Sequence, residues 1–540
     1  MGIRNGYPME FVPKGLCDAF DSTQAFQGAC QTLSNLVFDQ SNPEIVVSRP
    51  GVGAALTTFG SFTTPTFVSV HVTIGNIVYG MVSTGRNPGN DEPFAYNSST
   101  NTFITISGVT AGNTPASPAT SGAWTPPTMA VVSTKILVTH PGFSGTGTNF
   151  FGVIDISNPA APAWSSTDLT TNAMGKVPTA VANFNNRAYF AYGGNHLALS
   201  DVLAPTVRTN ASQDVTVGDT TLITTLSGLP YTTTSSGVTS ALVIFKQSQI
   251  WQIQGDPATT NLSLNFITLT TGTLAPRSVV QGPFGIFFSG VDGPYVLNFL
   301  GTLGPLSHTP GQDGVADLQV PFQNTTQASR QAASFSGNIY RACIPTAIQG
   351  VVATNDYWYD IRRKRWTGPH SFTYDCASGL GNNFILSGAD HGAALFMSQS
   401  IPTSASVYTD AGTQLTSHVR SSSFPKTKHM AQLQVIESTI ELSSSGGAVS
   451  YNITALDDQY NTLNSVFVMT PPAGSVWGAF LWGAGLWASS VKIPHVYNVP
   501  WTVPLNFQKM SIDIVATSAN QLSIGAFFAR YQDTGYTNRG

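Results

Sequence analysis

The feature that most limits how this chain can fold is a strand, turn, strand form that repeats through its middle. Residues 241–254 read Ala241-Leu-Val-Ile-Phe245, four polar residues, then Ile250-Trp-Gln-Ile-Gln254. After a break at Gly255-Asp-Pro257 the form returns as Phe284-Gly-Ile-Phe-Phe-Ser289, Gly290-Val-Asp-Gly293 and Tyr295-Val-Leu-Asn298. Val, Ile, Phe, Tyr and Trp suit a pleated, half-buried surface. Asp292-Gly293 predicts a two-residue type I′ turn, which needs positive φ at both central residues.

Comparable units recur at roughly 40 to 60 residues, the spacing of propeller blades. Phe67, Val70, Val72 and Ile74 alternate with polar residues, and 102–108 alternates again. Further strands are read at 136–139, 152–156, 187–192, 196–200, 332–343, 356–366 and 384–397. Residues 110–127 read as a surface loop and 203–239 as a polar, Thr-rich insertion. The predicted fold is all-β: a β-propeller of six to eight blades over 52–400, followed by a smaller C-terminal β-domain over 411–540. A propeller closes radially and leaves few open sheet edges; a string of β-sandwiches is the competing architecture. Residues 1–51 read as an N-terminal strap across the first blade, with a short helix at 29–36 and a break at Pro50-Gly51.

Composition supports the all-β reading. Only 9% of residues are charged, against a usual ~25%. Gly (51) and Pro (33) are abundant, and none of the five glutamates falls between Glu92 and Glu437. That span lacks the i, i+3, i+4 apolar pattern of helices. The net charge of −4 argues against tight gripping of a phosphate backbone. Cys17, Cys30, Cys343 and Cys376 form no CxxC and read as free, buried thiols. The first residues show no apolar signal region, and the longest apolar run, 476–488, is too short to span a bilayer.

Motifs that carry chemistry are few in this chain. There is no GxSxG, HExxH or P-loop, and no GxGxxG leading into a helix. Glycoside hydrolysis needs two placed carboxylates. Without Glu in the propeller span these would be chosen from Asp155, Asp201, Asp256, Asp292, Asp356, Asp360 and Asp390, most of which sit where turns favour Asp. The expectation is a protein with no catalytic residues, no cofactor and no metal. Two surfaces stand out. Arg362, Arg363, Lys364 and Arg365 form the one dense basic cluster, either a solvated turn or a contact for phosphate or an acidic neighbouring subunit. Trp477, Trp482 and Trp487 recur every five residues, a period of neither helix nor strand. They are either indoles packed within a turn-rich segment or an aromatic contact surface.

Several stretches resemble the tail nozzle proteins of short-tailed phages, a group that includes tail tubular protein B and the packaged-DNA stabilisation proteins. They are the opening with Gly15-Leu16, Gly28-Ala-Cys30, Asn35-Leu-Val-Phe38 and Arg49-Pro-Gly51; the blade-like units at 242–251, 287–295 and 358–366; and the ending Ile524-Gly-Ala-Phe-Phe-Ala-Arg-Tyr-Gln532. The resemblance spans most of the chain and lies in pattern more than in motif. It implies a virion component of the tail: a hexameric ring of this chain below a tail adaptor protein, carrying a tail fibre or tailspike, with genomic DNA leaving through its lumen without sequence-specific binding. The other function considered is an extracellular glycan-binding or glycan-hydrolysing propeller, which predicts Asp, Arg and aromatics converging at the propeller axis.

Overall fold

A computed structural model describes residues 7–19, 25–59, 62, 65–84, 89–117, 125–234, 237–255, 262–307, 316–348, 350–424, 431–446, 448–470 and 495–536. The chain forms two compact units, one of residues 55–354 and 373–398, the other of 1–54, 355–372 and 399–540.

The first unit is a β-propeller. Its first blade is the antiparallel sheet Pro65–Ile74, Ile77–Thr84, Asp91–Asn97 and Thr102–Ile104. Further four-stranded blades lie within 128–167, 180–216, 223–268 and 280–305. The sixth joins Cys376–Leu380, Asn383–Ser387 and Ala394–Gln399 to Thr57–Thr58. Ala394 pairs with Thr58 and Leu395 with Thr57, so an early strand completes the last blade and closes the ring. Between the fifth and sixth blades stands the hairpin Ala332–Ser336 and Ile339–Ile348, whose neighbouring strand Val351–Asp360 runs out of the propeller and into the second unit.

Both faces of each blade are buried, and the strand sequences show why. In Ile77–Thr84, Val78 and Val82 pack with Ile385 and Leu395 of the last blade. The alternate residues Tyr79 and Met81 pack with Ile136, Val138 and Ile154 of the second. Side chains alternate across a strand, so a run that is apolar at every position serves two interfaces at once. The clusters between the second and third, third and fourth, and fourth and fifth blades are built in the same way. Each fully buried Val, Leu, Ile or Phe contributes about 1.5–3 kcal/mol.

The second unit is a β-sandwich. One sheet runs in the order Arg365–His370, Gly15–Leu16, Ala29–Ser34, Thr413–Ser421, Ser511–Ser518, Val449–Leu456, Thr462–Thr470. The other contains Leu36–Phe38, Val46–Ser48, Leu522–Tyr536, Ala431–Ser444 and His495–Asn498, with Tyr7–Phe11 also paired to Leu522–Tyr536. Leu33, Val419, Ile453 and Ile514 of the first sheet meet Leu433, Ile440, Ile524 and Phe527 of the second in one core, the face-to-face packing of a sandwich.

Arg49 ties the unit's three chain segments together. Its side chain is fully buried and forms an ion pair with Asp410 at 2.5 Å. Its Nε donates to Asn35 Oδ1 at 3.1 Å, and its Nη2 donates to Ser371 Oγ at 3.2 Å. Burial alone would raise the Asp410 carboxyl. The Arg49 guanidinium and the Ser371 hydroxyl outweigh that and hold it below the ordinary carboxylate range.

Several sequence expectations are corrected. Asp292-Gly293 is not a two-residue turn: Ser289 pairs with Pro294 across the four residues 290–293, and neither Asp292 nor Gly293 has positive φ. Asn185 and Asn186 supply the two positive-φ positions of such a turn instead, at 50° and 56°. The expected insertion 203–239 is structural: Asp214–Thr216 is the outer strand of the third blade, and Ile223–Thr234 opens the fourth. Residues 29–36 are not helical, since Cys30 to Ser34 pair with Ser421 to His418 as a strand. Segment 1–51 is accordingly no strap: its strands belong to the two sheets of the sandwich, as does 356–366, read above as part of a blade. The propeller is inserted into the second unit and does not simply precede it.

Asp410→Ala leaves the Arg49 guanidinium buried without its carboxylate. It should cost about 3–5 kcal/mol, read as a lower urea midpoint with unchanged far-UV circular dichroism. A loss below about 1 kcal/mol would mean that the pair does not hold the three segments.

Candidate functional site

Polar side chains from several blades meet near the propeller axis. His71, on the innermost strand of the first blade, has Nδ1 2.8 Å from Ser378 Oγ of the last blade, and Thr73 Oγ1 lies 2.7 Å from the same hydroxyl. Arg277 enters from the opposite side of the ring on the short helical turn Pro276–Ser278, and its Nη1 donates to the Ser69 carbonyl at 2.9 Å. The turn is locked in place: Ser278 Oγ donates to the Ala275 carbonyl at 2.7 Å and accepts from the Ser289 N–H at 3.0 Å, while the Tyr340 hydroxyl donates to the Ser278 carbonyl at 3.0 Å. Burial holds Arg277 below the ordinary arginine range, with Cys376 and Asp375 opposing it and Arg330 adding to it, and Arg330 Nη1 is 3.9 Å from Asp375 Oδ1.

The electrostatics follow from this crowding. Burial and then the Arg277 guanidinium push His71 down to about 3, so its imidazole is neutral at physiological pH. Burial pushes the Cys376 thiol up, although Arg277 opposes it. A buried neutral histidine and a raised thiol are poorly placed for proton transfer or nucleophilic attack near neutral pH.

A second polar network clamps the first blade to the second. Asp91, fully buried, accepts from Ser69 Oγ and Ser83 Oγ, each at 2.6 Å, and from His140 Nε2 at 2.9 Å. The Gly142 N–H donates to His140 Nδ1 at 2.9 Å, which fixes the tautomer. Ser, Asp and His meet here, but the serines donate to the carboxylate and not to the imidazole, the reverse of the order that activates a nucleophile. Burial would raise Asp91; His140 and the two serines outweigh it and hold the carboxyl below its ordinary value.

The aspartates singled out from the sequence are held separately. Asp155 accepts from the Ser157 N–H, Asp201 from Gln213 and Thr209, and Asp292 from the Tyr295 hydroxyl. Asp356 accepts from the Trp358 indole, Asp360 from the N–H groups of Arg362 and Arg363, and Asp390 from Thr373. Each satisfies a nearby donor, and Asp256 lies outside the described residues. No group of three or more His, Cys, Asp or Glu suited to a metal occurs among the described residues. The four cysteines are free and buried.

The basic cluster occupies the turn between Val351–Asp360 and Arg365–His370. Arg363 donates to the Asp39 carbonyl and sits over the Phe38 ring, and Arg365 sits over Phe26. Arg362 and Lys364 are exposed. Trp477, Trp482 and Trp487 lie outside the described residues. Arg277 and His71 were not foreseen. Only their placement across the ring makes them a site, and no local pattern marks them.

No family model matches the chain, and no curated protein does. Among solved structures it is similar to a Mycobacterium tuberculosis puromycin-hydrolyzing peptidase (11% identity, TM-score 0.39), covering 62% of this chain and 51% of that one. It is also similar to the β-propeller domain of the Trilobed protease from Pyrococcus furiosus (10% identity, TM-score 0.33, 62% and 95%) and to the Dos1 propeller (11% identity, TM-score 0.33, 69% and 94%). The match thus spans about half the length of the first of these.

His71 predicts a pH dependence. Its folded value lies below its ordinary 6.5, so below that pH the unfolded chain takes up a proton that the folded chain refuses. Stability should fall from about pH 6.5 toward about pH 3, by up to about 1.4 kcal/mol per pH unit for this group. Asp91, held low in the fold, adds a loss as pH drops below about 4. Urea midpoints of His71→Gln between pH 4 and 7 should fall less steeply with acidification than those of the parent; equal slopes would refute the assignment.

Proposed function

We propose that the chain is a structural virion protein, a nozzle or hub in the tail of a short-tailed phage, in which copies form a ring around a passage for packaged DNA. The observation that supports this reading is the bonding across the ring: Arg277 donates to the Ser69 carbonyl and His71 meets Ser378, so polar groups near the axis are engaged with one another. The propeller then serves as a wall, and its working surfaces are its outer faces and loops. In this reading the chain performs no reaction. A ring poor in Lys and Arg lets a polyanion slide, because it offers few fixed cations to grip phosphate, and identical copies joined head to tail close such a ring.

One feature favours the glycan-binding alternative. A cavity of about 410 Å³ is lined by Asn183, Asn185, Asn186, Ser240 and Gln281, neutral amides and a hydroxyl that suit a hydroxyl-rich ligand. Asn185 and Asn186 also have the conformational role of a positive-φ turn, which accounts for them without a ligand.

Antibodies raised against the chain should decorate the tail tip of short-tailed virions, and electron microscopy of the chain with its adaptor should show rings with an open lumen. Unlabelled virions, together with saturable oligosaccharide binding that Asn183→Ala weakens, would replace the nozzle with the glycan reading.

A further inference from the structure

The outer face of one sandwich sheet carries a groove with unusual chemistry for this chain. Met9, Phe11, Ile440, Leu442, Phe527 and Ala529 point into the core, so the alternate positions Glu10, Thr439, Glu441, Phe528 and Arg530 face outward. The register sets them side by side: Glu10 pairs with Phe528, Phe528 with Thr439, and Arg530 with Glu437. A groove of about 510 Å³ opens there, with the 37% exposed Phe528 ring on its lining and Glu10, Glu437 and Arg530 around it. The chain has five glutamates in all, and Glu10, Glu437 and Glu441 are all on these three neighbouring strands. One cation, Arg530, is present and already bonded to Glu437 at 3.1 Å. An aromatic face flanked by carboxylates is a receptor for a guanidinium or an ammonium.

The same unit presents the complementary group. In the turn 361–364, Arg363 is held by its own unit through Asp360, Asp39 and Phe38. Arg362 and Lys364 are exposed, and their side chains make no hydrogen bond or ion pair among the described residues. Lys364 adopts φ of 55°, a left-handed turn conformation that a lysine side chain takes up rarely. The densest basic cluster of a charge-poor sequence thus offers two cations outward.

We propose that the turn 361–364 of one copy docks in the Phe528 groove of the next, with Arg362 or Lys364 over the ring and between Glu10 and Glu437. Turn and groove are different patches, so the contact is heterologous: each copy uses both once, and repetition gives a ring or a filament. This deepens the ring proposed above and rests on that reading for closure alone.

Two variants on exposed positions test it, Arg362→Glu/Lys364→Glu and Glu10→Lys/Glu437→Lys, each checked for a parent-like thermal melt. By sedimentation velocity the parent should self-associate, with the association constant falling at least about tenfold from low to high salt as the charges are screened. Each variant alone should associate about 10- to 100-fold more weakly, and an equimolar mixture of the two should recover association, because acidic turn then meets basic groove. Variants that associate like the parent, or a mixture that does not recover, overturn the docking and leave the ring standing. A parent that pairs through this contact but forms no ring with its adaptor sinks the ring and leaves the docking. A parent monomeric at every salt concentration, with and without adaptor, overturns both.

Discussion

A fold assembled from three distant stretches of chain depends on something that joins them, and in the sandwich unit that is Arg49. The guanidinium comes from the first stretch, its acceptor Ser371 from the second and its counter-charge Asp410 from the third. A charge this buried is tolerated only when its donors are met with good geometry. Asn35, the Pro50 carbonyl, Ser371 and Asp410 do so together. The apolar core supplies the bulk of the free energy, but hydrophobic contact is non-directional. The arginine network adds the geometry that brings these particular segments into one body.

The propeller solves a different problem. Its blades are apolar on both faces, so every blade needs two neighbours and the only satisfied arrangement is a closed ring. Closure comes from Thr57–Thr58 joining the last blade and is reinforced at the axis by His71, Thr73 and Ser378 across the same junction. The inner strands place polar side chains toward the axis, and Arg277 bonds across the ring to the Ser69 carbonyl. The cost is visible in His71, which is held neutral far below its ordinary titration range.

Within the reading proposed here, the two units divide the work. The propeller is a ring closed by an early strand, with little charge to attract DNA. The sandwich carries a charge contrast, two glutamates, Glu10 and Glu437, beside Phe528 on one face and two exposed cations on a turn. Such an uneven distribution suits a protein whose specificity is for its own copies, since charge complementarity selects partner and register more than it adds raw affinity.

The all-β class, the propeller and most hairpins were legible in the sequence because they rest on local properties: β-branched and aromatic runs, turn residues, and a repeat of hairpins. The units 241–254 and 284–298 are the middle strands of two successive blades, and the alternation that marks them acts over a few residues. The membership of 1–54 and 355–372 in the sandwich was not legible. It depends on pairings such as Leu33 with Val419 and Leu16 with Trp366, hundreds of residues apart, and strand propensity says nothing about which partner a strand takes. The same limit hid the candidate sites. The sequence by itself determined that Arg362, Lys364 and the few glutamates exist in a chain poor in charge. Only the tertiary structure decided that Glu10 and Glu437 flank one phenylalanine, and that Arg277 crosses a ring to reach Ser69, because proximity in a sheet or around an axis is set by long-range register and closure.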